Sequence, residues 1–299
     1  MLMNLNKPRD SDIHTLCDFA ELLCITAIDR VCSRENIADQ IRDVGESRVS
    51  DGDLDDCFAQ VRWRASAYGT QYPFVLDAHG NALSAPEDLS DAHKLYVFLL
   101  LCANLPFFEG GTGGLTSAFE RVAMLAFRAV WPANGVARAF GVSETVYTGA
   151  KWQRLNQLAG DIGGTGLCNA NTFRPRDSGD GGIDLVAWHD LDGYEKQNIP
   201  SALAQCACSR DQWSPKQTEI SPDRLINMIH PTHTWNRLMF IPQSFRDNRG
   251  KWAVPGEVAE VILFDRLRIV KQLGETIDWA HINPPTLFAD VLTERRDLV

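Results

Sequence analysis

The chain lacks most of the signals that identify a protein class quickly. It contains no Cys-x-x-Cys pair and no Gly-Lys-Ser/Thr, and its longest apolar run, Leu95 to Leu105, falls short of a bilayer crossing, which takes about 20 residues. Eight cysteines in 299 residues are too few for a disulfide scaffold, and Cys17, Cys24 and Cys102 sit inside apolar helical patterns. Cysteine used in this way, as a small hydrophobe, suits a reducing compartment. The first ten residues, Met-Leu-Met-Asn-Leu-Asn-Lys-Pro-Arg-Asp, hold no apolar signal core, so the expectation is a soluble cytoplasmic protein with no membrane partner. Positive charge is also scarce: 29 Lys and Arg stand against 39 Asp and Glu, a formal net charge of −10 and a pI near 5.2. That balance excludes a surface coated for nucleic acid, leaves room for a local basic groove, and favours a protein or RNA partner that helps to recruit substrate.

What is present is globular, with 44% hydrophobic and 23% charged residues, enough for one large domain or two modest ones. Residues 11–43 read as helical, with Ser11 as N-cap and a restart at Ser33-Arg34-Glu35-Asn36. The pair invites a helix-turn-helix reading, although most paired helices only pack. Asp51 to Asp56 reads as an acidic turn, Cys57 to Tyr68 as an amphipathic segment, Tyr72 to Leu76 as a short strand, and Leu95 to Leu105 as a buried helix cut off by Pro106. Glu109-Gly110-Gly111-Thr112-Gly113-Gly114 is the expected boundary between a mainly helical domain, residues 1–110, and a second domain, residues 111–299. The second part reads as helix (Ser117 to Trp131), strand (Gly135 to Gly141), helix (Lys151 to Ala159), two strands, a short helix (Asp223 to Ile229), a strand (Leu238 to Pro242) and a closing strand-plus-helix from Val258 to Leu273. This order predicts an α/β fold in which helices flank a mixed sheet.

Two stretches carry the chemistry. Ser178-Gly179-Asp180-Gly181-Gly182-Ile183-Asp184 is a glycine-rich bend with two carboxylates that runs into the apolar Leu185-Val186-Ala187-Trp188. About twenty residues on, Ala202-Leu203-Ala204-Gln205-Cys206-Ala207-Cys208 sets polar Gln205 inside a second apolar run. A buried amide needs a partner. If the runs are neighbouring strands, Asp184 and Gln205 offer oxygen ligands to a hard divalent ion such as Mg²⁺, which keeps several waters and needs few protein groups. Asp180 and Asp184 also suit a plain turn, and Glu120, near the start of its helix, suits the helix dipole. A rival set, Cys206-x-Cys208 with His230-x-x-His233, has zinc-type ligands, but the thiols crowd one strand face and Pro231 interrupts the histidine pair. Trp213, Trp235 and Trp252 lie near Arg210, Arg237, Arg246, Arg249 and Lys251, a mixture that either tracks nucleic acid or is aromatic core with a solvated rim.

The sequence Gly179-Asp180-Gly181-Gly182-Ile183-Asp184, followed by a strand and then by a strand carrying Gln205, resembles the Mrr-like branch of the PD-(D/E)XK restriction-endonuclease-like superfamily over roughly residues 115 to 275. The resemblance implies an αβββαβ core and a Mg²⁺- or Mn²⁺-dependent nuclease acting on DNA, of a restriction or anti-phage defence kind. It implies that Asp184 and Gln205 are metal ligands, that Glu120 is the carboxylate supplied by the first core helix, and that Asp180 is an auxiliary neighbour. The family places a lysine two residues after Gln205, and this chain has Ala207 there. Two expectations follow: Lys216 takes over the catalytic role, or the domain is an inactive module that binds nucleic acid or a protein partner. A protein partner or activator acting through residues 1–110 is compatible with either, and homo-oligomerisation is left open.

Overall fold

The computed structural model describes residues 12–42, 49–108, 110–141, 145–174, 179 and 181–298. Contacts divide the chain into two compact units. One is assembled from Met1–Phe119, Pro242–Pro255 and Asp265–Val299, the other from Glu120–Ile241 and Gly256–Phe264.

The first unit opens with α1 (Ile13–Thr26), whose N-cap is Asp12: its carboxylate accepts from the Thr15 N–H at 2.8 Å. Ser11, the expected cap, lies outside the described residues. The helix stops at Thr26 and helical structure resumes only at Arg34, where a restart is expected: between them Arg30 takes a left-handed φ of 56° and its Nη1 donates to the Ile25 carbonyl at 2.7 Å. A guanidinium thus satisfies a last-turn acceptor that another helical turn would otherwise take up. The chain then forms β1 (Val31–Ser33) and α2 (Arg34–Arg42). The acidic stretch from Asp51 is the first turn of α3 (Asp51–Tyr68), not a separate turn. Ser50 and Asp53 form a reciprocal capping box, and acids in that turn favour the helix dipole. A hairpin of β2 (Val75–Leu76) and β3 (Ala82–Ser84) adds to β1 in the order β1-β3-β2. In α4 (Asp91–Cys102) every residue from Leu95 to Cys102 is buried, which accounts for the unbroken apolar run.

The second unit holds the sheet. Helix α5 (Gly113–Val130) precedes β4 (Val136–Ala139), then come α6 (Lys151–Asp161), β5 (Thr165–Gly166), β6 (Leu185–Trp188) and β7 (Ser201–Cys206). Short helices α7 (Trp213–Lys216) and α8 (Pro222–Leu225) lead to β8 (Ile229–His230), β9 (Asn236–Phe240) and β10 (Ile262–Phe264). The five-stranded sheet has the order β10-β9-β7-β6-β4. Strands β4, β6 and β7 form an antiparallel meander, while β7, β9 and β10 run parallel. All of β6 and β7 is buried, as expected of strands covered on both faces. Val186, Trp188 and Leu203 join Leu155, Leu158 and Ala159 of α6 in one core cluster. Elsewhere in the unit, Phe127 of α5 meets Phe240 of β9 with ring centroids 6.0 Å apart.

The first unit closes with α9 (Arg266–Leu273), α10 (Trp279–Ile282) and α11 (Thr286–Thr293). At its centre is a fully buried ionic cluster. The Asp18 carboxylate accepts from Arg64 Nη1 at 2.7 Å, from Arg266 Nη1 and Nη2 at 3.0 and 2.9 Å, and from Asn104 Nδ2 at 2.9 Å. Glu21 accepts from Arg64 Nη1 at 2.8 Å, from the Tyr72 hydroxyl at 2.7 Å and from the Tyr96 hydroxyl at 2.9 Å. Two acids are thus matched by two guanidinium groups with no exposure at all. Among the described residues no helix is long and apolar enough to cross a membrane.

Candidate functional site

The site forms where β6 and β7 pair. Register matches Leu185 with Ala204, and Asp184 immediately precedes the paired residues of β6. The Asp184 N–H donates to the Ala204 carbonyl at 3.0 Å, and the Asp184 carbonyl accepts from the Phe140 N–H at 2.7 Å, so the backbone here is fixed on both sides. Asp184 is 8% exposed, and its Oδ2 accepts from the Cys206 N–H at 2.7 Å. The two runs singled out in the sequence are therefore adjacent strands, and Asp184 Oδ2 reaches the backbone of Cys206, the residue after Gln205.

The Cys206 side chain reports on its neighbours. Burial pushes its thiol well above the ordinary range; the Asp184 and Glu120 carboxylates and Cys208 push it further, and the Lys216 ammonium pulls it back. Three charged groups named from sequence thus act on one sulfur from three elements: Glu120 from α5, Asp184 from the approach to β6, and Lys216 from the end of α7. A raised thiol pKa does not suit a nucleophile. Ala207 is 4% exposed and its N–H pairs with the Phe240 carbonyl at 3.0 Å, so this position is filled by packing and sheet pairing. Asp180 lies outside the described residues.

Gln205 is one of several buried groups whose bonding is incomplete among the described residues. It is 4% exposed; its Nε2 donates to Glu219 Oε2 at 3.1 Å, and its Oε1 is buried with no hydrogen-bond partner among the described residues. A second buried glutamine nearby shows the structural alternative. The Gln217 Nε2 donates to the Glu257 carbonyl at 2.7 Å and the Ser214 carbonyl at 2.9 Å, while its Oε1 accepts from the Ala259 N–H at 2.9 Å. Buried polar atoms are nearly always paired, and a bare one calls for an explanation.

Glu219 has no periodic signal in the sequence and was not legible there. It is carried over the sheet by the turn after α7, which is pinned by buried Trp213, Gln217 and Ile220. Its Oε2 also faces Arg224 Nη1 at 3.9 Å. Gly182 has φ +81°, and a Cβ there would fall 2.4 Å from Glu219 Oε2. One glycine of the bend is thus required by the close approach of a carboxylate. Trp213 and Trp235 are buried, the latter donating from Nε1 to the Ile220 carbonyl at 2.8 Å, so both belong to the core.

Among the described residues no three His, Cys, Asp or Glu side chains cluster as a metal site. The oxygen groups that the two paired strands offer are a carboxylate at Asp184 and an amide oxygen at Gln205 with no partner among the described residues. For an ion that retains waters, such a small set suffices. A groove of about 510 Å³ lined by Thr234, Asn236, Arg237, Glu260 and Ile262 opens at the starts of β9 and β10 and touches none of these groups. Searches against family models, curated proteins and solved structures give no match to this chain.

Proposed function

We propose that this chain is a metal-dependent nuclease that hydrolyses DNA phosphodiester bonds, of the PD-(D/E)XK-like kind and serving bacterial restriction or anti-phage defence. The observation that carries the reading is the bare Oε1 of buried Gln205 on the strand paired with the one that Asp184 leads into. An uncharged acceptor left open on the strand next to a buried carboxylate is suited to a cation, and Gln217 in the same unit shows the amide that is bonded at both ends. The order of helix α5, the meander β4-β6-β7, a helical connection and the parallel strand β9 is compatible with the αβββαβ arrangement.

In this reading Asp184 and Gln205 hold Mg²⁺ or Mn²⁺, and Glu120 is an auxiliary carboxylate. When bound, the ion supplies Lewis-acid stabilisation of the phosphodiester and a more acidic water. The Cys206 N–H fixes the Asp184 carboxyl in place. Lys216, close enough for its charge to act on Cys206 together with Asp184 and Glu120, supplies the ammonium that Ala207 cannot. There it holds phosphate charge and orients the attacking water.

The test is direct. Purified protein with Mg²⁺ or Mn²⁺ should nick DNA, and Asp184→Ala should abolish the cut; undiminished cleavage by that variant overturns the assignment. One observation favours a second reading, a catalytically silent module that binds nucleic acid or a protein partner: the lysine position is occupied by buried Ala207. Calorimetry that finds no Mg²⁺ or Mn²⁺ binding in the millimolar range, with or without DNA, would select it.

A further inference from the structure

We infer that Glu219 is a positioning residue that decides which end of the Gln205 amide faces the cation, an inference that rests on the metal-site reading of Asp184 and Gln205. A side-chain amide has two ends of nearly equal shape and opposite polarity. A carboxylate only accepts hydrogen bonds, so the end that meets it must be the NH₂. Glu219 Oε2 lies 3.1 Å from Gln205 Nε2, which leaves the buried Oε1 as the end not engaged by Glu219. Gln205 is 4% exposed, so solvent does little to offset a reversed amide. The carboxylate is itself held: Arg224 Nη1 stands 3.9 Å from Oε2, Gly182 leaves the space that a Cβ would fill, and the turn that carries it is anchored by Gln217 and Trp213. Polar groups behind a metal ligand commonly fix its orientation in this way.

Four proteins, each the full chain, titrated with Mn²⁺ by calorimetry in the absence of DNA, decide the point. Glu219→Ala should weaken Mn²⁺ binding by about tenfold or more, the usual effect of losing such a supporting group. The exchanged double variant Gln205→Glu with Glu219→Gln should recover the lost affinity, because the amide introduced at 219 now donates to the carboxylate introduced at 205 and leaves its second oxygen for the ion. Wild-type affinity in Glu219→Ala overturns the inference. So does a double variant that stays as weak as Glu219→Ala, since Glu219 would then act through its own charge. If Glu219→Ala does not fold, the double variant decides alone. Asp184→Ala separates the two levels: unchanged Mn²⁺ binding there, or no binding by wild type, overturns the metal-site reading itself, whatever Glu219 does.

Discussion

Two buried acceptor sites, one in each unit, are bonded in opposite ways. In the first, Asp18 and Glu21 are enclosed with no exposure, and guanidinium, phenol and amide donors surround both carboxylates. In the second, Gln205 is almost as deeply enclosed, but its carbonyl oxygen has no partner among the described residues. Burial is therefore not the feature that separates the two cases. A saturated acceptor has no capacity left and acts as structure, whereas an unsatisfied acceptor carries a standing cost that a ligand can relieve. The contrast is sharper still between Gln217 and Gln205, the same residue type within one unit, one bonded at both ends and the other at one.

Breaking the saturated cluster should have the largest effect. Asp18→Ala leaves Arg64 and Arg266 with uncompensated positive charge, and denaturant titration should show a loss of about 3–5 kcal/mol, the usual result of removing one partner from a buried pair. A cost below about 1 kcal/mol would mean that the cluster is not holding the unit together. The two glutamines should then separate. Gln217→Leu strands the Glu257 carbonyl and the Ala259 N–H and should lower stability by roughly 1–3 kcal/mol, with metal binding kept. Gln205→Leu should change stability by less than about 1 kcal/mol and abolish metal-dependent cleavage; the opposite pattern would reverse the roles. The smallest effect is a pH dependence. Burial, then the Glu21 charge, raises the Tyr72 and Tyr96 phenols well above their usual value of 10.0. The unfolded chain therefore loses these protons first, so their contribution is complete below pH 10.0 and declines above it. Tyr72→Phe should make the alkaline decline of the melting temperature shallower, which a melting series from pH 8 to about 11 would detect.

Much of the sheet was legible because its signals are local. Apolar runs of strand length, a helix on either side of the glycine bend and the polar interruption at Gln205 predict a mixed α/β fold, and the structure has a five-stranded mixed sheet among helices. The pairing of β6 with β7 joins the two apolar runs, which are consecutive strands of the sheet in the chain. What was not legible depends on contacts across long separations or on one side chain overriding a pattern. Arg30 ends α1 from beyond the helix, and Ser50 with Asp53 turns an apparent acidic loop into a helix start. Glu219 reaches Gln205 through an irregular segment whose path is set by Trp213, Gln217 and Ile220 rather than by any periodicity. The return of residues 242–255 and 265–299 to the first unit leaves no trace in composition.

That return bears on how the protein is made. Asp18 and Glu21 are synthesised early, but Arg266, which pairs with both, comes 248 residues after Asp18. On the ribosome the amino-terminal helices wait for their second guanidinium until nearly the whole sheet has emerged. The first unit to be started is therefore the last to be completed, and a nascent chain stalled before residue 266 exposes two carboxylates in a half-built interior. A protease or chaperone that scans emerging chains would meet this protein at its N-terminal third, far in sequence from Asp184 and Gln205.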